Sequence, residues 1–120
     1  MAVRTGVNLL VEGFPPDVEE SLSTLKPHLW SPIWEFTPAD GGVLPLPREG
    51  TLILREVATL NAEQQSTLLQ WFDARLPVRV VSTSSEPLFS FVRAGKFRFE
   101  LYYRLNTVLI EPSRPIDRPL

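Results

Sequence analysis

Three apolar runs in this chain end in side chains able to do chemistry. Residues 7–11 lead into Glu12 and Gly13, TLIL at residues 51–54 into Arg55 and Glu56, and VRVV at residues 78–81 into Ser82, Thr83, Ser84 and Ser85. A carboxylate such as Glu56 can activate water or hold a cation. At the carboxyl end of a strand it reads more simply as a group paired with Arg55 or a neighbour. Ser85 can donate a hydrogen bond to a ligand, yet Ser82 to Ser85 is also an ordinary polar exit from a strand. His28, the single histidine, follows a proline and belongs to no Ser/His/Asp arrangement, and no group of carboxylates has metal-ligand spacing. Arg98 and Arg104 flank a short aromatic segment that also holds Phe97, Phe99, Tyr102 and Tyr103.

The elements that must position these groups follow from periodicity. Short continuous apolar runs bounded by turn residues fit strands buried on both faces of a parallel sheet. They predict strands at 7–11, 51–55, 78–82 and 107–110. A further strand at 32–37 carries Ile33, Trp34 and Phe36 behind Pro32, which suits an edge position. Asn61 opens a helix with Leu60, Leu68, Leu69 and Phe72 on a 3.6-residue period and Glu63 in its first turn. Pro77 closes it. Strand, helix and strand over residues 51–82 make a right-handed βαβ unit. Asp17, Glu19 and Glu20 favour the positive end of a helix at about 16–25. FRFELYYRLN at 97–106 reads as a helix turning Leu101, Leu105 and Phe97 to the core, with its arginines solvated.

Composition bounds the rest. The 120 residues suit one modest domain with a real core. Twelve basic against fourteen acidic side chains, a net charge of −2, leave no nucleic-acid footprint. The absence of cysteine excludes disulfides and thiolate metal sites and suits a cytoplasmic protein. No apolar run is long enough for a signal peptide or a membrane span. Twelve prolines gather at joints and in residues 112–120, which read as a proline-rich tail after a domain at 1–111.

Residues 49–110 also resemble a known family. EGTLILREV at 49–57 is similar to GGTLFLDEI, the Walker B strand of the AAA+ core in sigma-54-dependent transcriptional activators (bacterial enhancer-binding proteins). Leu60, Gln65, Leu68, Leu69 and Phe72 fall in register with that family's next helix. VRVVSTSSEPL at 78–88 resembles VRVIAATNRDL. VRAGKFRFELYYRLNTVLI at 92–110 resembles VAAGRFREDLYYRLNVVPI without a gap. The resemblance implies a three-layer α/β fold, with a mostly parallel five-stranded sheet in the order 5-1-4-3-2 of P-loop NTPase-like AAA+ cores. A ligand crevice in such a fold lies at the carboxyl ends of the strands, near Gly13, Glu56 and Ser85.

The same comparison exposes departures. The family's phosphate loop follows its first strand, where this chain reads EGFPPDVEESLSTL at 12–25, keeping Gly13 without the second glycine or the lysine. Pro15 and Pro16 remove backbone donors, and nearby carboxylates sit where phosphate belongs. Arg55 replaces the aspartate that holds magnesium in the family, while Glu56 is retained and Ser85 stands at the sensor asparagine. The connector at 39–47 is too short for the sigma-contacting GAFTGA loop, and the helical lid is expected to be lacking. Arg98 and Arg104 match the family's trans-acting arginine fingers.

These features lead to the expectation of a catalytically inactive relative, a pseudo-ATPase with vestigial Gly13, Glu56 and Ser85, acting as a protein-interaction or transcription-regulatory module. No metal or cofactor is expected. Partners would be a second copy or an intact sigma-54 activator, with sigma-54 RNA polymerase disfavoured by the missing loop, and no direct contact with DNA or membrane. The alternative is an ATP-binding and hydrolysing sigma-54 interaction domain with a non-standard site using ATP and magnesium, whose candidate phosphate grips, Lys26, Arg48 and Arg55, are scattered.

Overall fold

The computed structural model describes residues 7–112. Its strands are β1 (Leu9–Glu12), β2 (Ile33–Phe36), β3 (Gly50–Leu54), β4 (Val78–Ser84) and β5 (Val108–Ile110), and its helices are α1 (Pro15–Leu25), α2 (Ala62–Asp73), α3 (Leu88–Arg93) and α4 (Phe99–Leu105). The sheet runs β2-β3-β4-β1-β5 and every ladder in it is parallel. Read from the other edge this is 5-1-4-3-2, the order implied by the resemblance. The tail expected at 112–120 lies outside the described residues apart from Pro112.

The two-residue period of a strand decides which side chains meet which layer. Leu9, Val11, Ile53 and Val81 point to one face and bury against Val18 and Leu22 of α1. Leu10, Leu52, Leu54 and Val80 point to the other and bury against Leu68 of α2, Leu88 of α3 and Leu101 and Leu105 of α4. All four β1 positions are therefore buried, as are all five of β3. This is why both read as unbroken apolar runs. The edge strands differ: Ile33 and Trp34 of β2 and Val108 and Leu109 of β5 remain exposed.

Two local devices set the joints. Asn61 caps α2, its side chain accepting from the Gln64 N–H while the Gln64 side chain accepts from the Asn61 N–H, both at 2.8 Å. Gly50 opens β3 at φ 96°, with the Pro32 carbonyl packed where a side chain would start. The β2–β3 connection, residues 37–49, holds one helical turn at Pro38–Asp40. Among the described residues no helix is long and apolar enough to cross a membrane.

Candidate functional site

The carboxyl ends of β1, β3 and β4 meet at one end of the sheet. Gly13 continues the β1–β4 pairing one residue beyond the Glu12–Ser84 register, donating its N–H to the Ser84 carbonyl at 3.0 Å. Glu56 leaves β3 in the left-handed conformation, φ 48°. Its N–H donates to Thr83 Oγ1 at 3.0 Å, and its Oε1 accepts from the Ser85 N–H at 3.2 Å and the Ser85 hydroxyl at 3.1 Å. The chain thus brings Gly13, Glu56 and Ser85 together. The neighbour that partners Glu56 is Ser85 rather than Arg55.

The turn from β1 into α1 has few free donors. Gly13 N–H is engaged by Ser84, and the N–H groups of Asp17 and Val18 both donate to the Phe14 carbonyl, at 2.9 and 3.0 Å. Pro15 and Pro16 occupy the first turn of α1 and carry no N–H. Phe14 is the one other residue between Gly13 and Val18 with a backbone donor, and the residue is 64 % exposed. An anion-binding concavity needs several successive N–H groups pointing at one place. This turn does not offer them.

Arg55 follows β3 on the face that Ile53 and Thr51 share, which is the α1 face. Its N–H donates to the Phe36 carbonyl at 2.9 Å, prolonging the β2–β3 ladder. The guanidinium donates through Nε to Glu35 Oε1 of β2 at 3.0 Å and through Nη1 to Glu19 Oε2 of α1. Lys26 reaches the other oxygen of Glu35 at 2.9 Å. Four side chains from α1, the turn after it, β2 and β3 form one chain of alternating charge. The Lys26 hydrogen bond, helped by Arg55, holds the Glu35 carboxyl below the ordinary 4.5 despite partial burial. Its contribution to stability is present above pH 4.5 and disappears as pH falls through that lowered value.

Sequence reasoning gave Glu12 no role beyond ending a strand. It lies on the opposite face from Arg55, 8 % exposed, and its Oε2 accepts the Leu88 N–H at 2.8 Å. α3 begins behind Pro87 with no side-chain cap of its own, so Glu12 supplies from 76 residues away the acceptor a local cap would give. Burial raises its pKa above 4.5; the Leu88 bond opposes this and nearby Glu111 adds to it. The buried carboxyl therefore favours folding while protonated, and that contribution is lost as pH rises from 4.5 through the raised value. Glu12→Gln keeps an acceptor without the charge. Its stability relative to the parent, from urea midpoints at pH 4 and pH 7, is expected to improve at the higher pH. An unchanged difference would mean the carboxyl is not penalised by burial.

Arg98 and Arg104 are not merely solvated. Arg98 stands just before α4, its N–H donating to Gln65 Oε1 at 2.8 Å and its Nη1 to Ser66 Oγ at 2.9 Å. Arg104 donates through Nη1 to Asp73 at 3.4 Å and lies over the Phe72 ring, 5.0 Å from its centre. Both dock α4 onto α2 within the chain. Phe97 is buried and Tyr102 half-buried, whereas Phe99 and Tyr103 are exposed and meet edge to face with ring centres 4.6 Å apart.

A three-layer domain with this strand order has the fold that the resemblance to AAA+ cores implied. Solved structures agree: NtrX from Brucella abortus in complex with ATP superposes with a TM-score of 0.68 at 17 % identity, over 90 % of this chain and 31 % of that one. Residues 35–112 match the family model described as the sigma-54 interaction domain, and the chain belongs to that family. The sigma54-dependent transcriptional regulator SfnR of Pseudomonas fluorescens (strain Pf0-1) is 36 % identical over 88 residues, 70 % of this chain and 24 % of that protein. The transcriptional regulatory protein ZraR of Escherichia coli (strain K12) is 36 % identical over 101 residues, 71 % of this chain and 21 % of that protein. The chain spans a quarter or less of the length of these relatives.

Proposed function

We propose that this domain is a catalytically inactive member of the sigma-54 activator AAA+ family, working as a protein-interaction module in transcription regulation. The observation that carries the reading is the turn before α1. Its donors at Gly13, Asp17 and Val18 are engaged within the chain, and Pro15 and Pro16 have none. A triphosphate would find no backbone cradle there. The position taken by the magnesium aspartate in the family holds Arg55, a permanent cation that repels a metal ion and is tied to Glu19 and Glu35. Neither the turn nor Arg55 suits ATP with magnesium.

The role left to such a domain is contact with another protein, a second copy or an intact activator, in the cytoplasm. Calorimetric titration with ATP and magnesium is expected to give no saturable binding up to about 1 mM, an interaction weaker than roughly 4 kcal/mol. Micromolar affinity would overturn the proposal. The contact of Glu56 with Ser85 favours a second reading, in which a nucleotide binds at a non-standard site beside these two groups. The same titration decides between them.

A further inference from the structure

At the amino ends of the strands, the end opposite Gly13 and Glu56, a cavity of about 220 Å³ opens between α2 and the start of β4. Its walls include Asn8, Trp71, Phe72 and Val78, and two basic residues, Arg75 and Arg104, line it as well. We propose that this cavity binds a small planar carboxylate carrying one aromatic ring.

Three features carry this. The first is shape. Trp71 and Phe72 lie with ring centres 5.3 Å apart, tilted by 52°, and Trp71 is pinned by its indole N–H donating to the Pro47 carbonyl at 3.1 Å. The aromatic wall is thus held in place before any ligand arrives. A benzene molecule fills an apolar cavity of about 150 Å³, so this space has room for one ring with a charged substituent.

The second feature is charge. Arg75 is exposed, and among the described residues its side chain has no hydrogen bond or ion pair. Its backbone is fixed in the left-handed region, φ 51°, with its N–H donating to the Phe72 carbonyl at 3.0 Å. Arg104 is oriented by the Phe72 ring and bonded to Asp73 at 3.4 Å, a long contact to a largely exposed carboxylate. Two arginines line this small cavity, one with an unpaired side chain and one weakly paired, and their guanidiniums suit a planar oxyanion that accepts paired N–H bonds.

The third is the polar wall. The Asn8 amide is engaged at both ends, donating to the Arg104 carbonyl at 2.8 Å and accepting the Val80 N–H at 2.9 Å. It therefore places no competing free acceptor in the cavity. The arrangement owes nothing to the nucleotide end of the sheet and stands apart from the proposed function.

Sodium benzoate is the probe, with neutral benzamide of the same size as control, and the readout is the Trp71 indole N–H resonance of the intact chain. Benzoate is expected to shift it saturably, benzamide to bind at least fivefold more weakly, and Arg75→Ala to weaken benzoate by roughly tenfold, the loss of a charge-assisted contact. The parent-like dispersion of the variant spectrum reports that it is folded. No saturable shift with benzoate, a loss of less than fivefold in the variant, or benzamide binding within fivefold of benzoate would each overturn the proposal. A variant that does not fold is replaced by Arg75→Gly, which the left-handed backbone accepts without strain.

Discussion

Gly50→Ala is expected to lower the stability of this domain by more than about 3 kcal/mol. A Cβ at this position would stand 2.1 Å from the Pro32 carbonyl oxygen and 2.9 Å from the Pro32 nitrogen, and φ 96° is a conformation alanine resists. Both obstructing atoms are backbone, so no rotamer change relieves them. The Pro32 carbonyl also accepts the Thr51 N–H at 3.0 Å, and moving it away would break the first bond between β2 and β3. For a domain of this size such a loss lowers Tm by about 12 °C or more. Gly95→Ala is the matched control: φ is positive there too, at 78°, but no atom lies within 4 Å, so only the backbone strain of about 1 kcal/mol remains. Thermal unfolding of the two variants together checks the argument. Equal losses would show that the close approach to Pro32 costs nothing.

Arg55→Asp comes next in size. It removes the guanidinium that joins α1 to β2 and sets a third carboxylate beside Glu19 and Glu35. The pairs are partly solvated, with the Arg55 side chain 22 % exposed and that of Glu19 58 %, so each contributes modestly. Together with the new repulsion the expected loss is about 2 kcal/mol, read from the urea midpoint and smaller in high salt. A neutral Arg55→Met should lose less. Arg55→Asp also restores the residue type of the family's magnesium site. On the proposed reading this variant is not expected to bind ATP either, because the Gly13, Asp17 and Val18 donors remain engaged. Binding by this variant but not by the parent would show that Arg55 alone, and not the turn, excludes the nucleotide.

Much of the scaffold could be read from residue order alone. Strands buried on both faces announce themselves, and TLIL and VRVV did so within a residue or two of β3 and β4. The cap at Asn61 acts over three residues and is equally legible. Strand order came from the resemblance at 49–110, since periodicity says nothing of which strand lies beside which.

What escaped is what depends on long separations. α3 has six residues and no cap of its own, and the acceptor that starts it belongs to β1. Glu12 therefore looked like a residue that merely ends a strand. Arg55 was placed correctly, but its partners lie 36 and 20 residues earlier, on elements whose facing no local pattern records. Arg98 and Arg104, expected to be solvated, bond to α2 because α4 crosses it.

The position of β1 bears on how the chain acquires its shape. Leu9 lies beside Val81 and Val108, so β1 must wait for neighbours 72 and 99 residues downstream. At about 5 to 20 residues per second a ribosome needs roughly 5 to 20 s to deliver the last of them. Until then β1 is an apolar ribbon with at least one edge open, and closing such long loops makes a parallel sheet slow to assemble. During synthesis the nascent domain is thus a natural client for holding factors that shield unpaired strands.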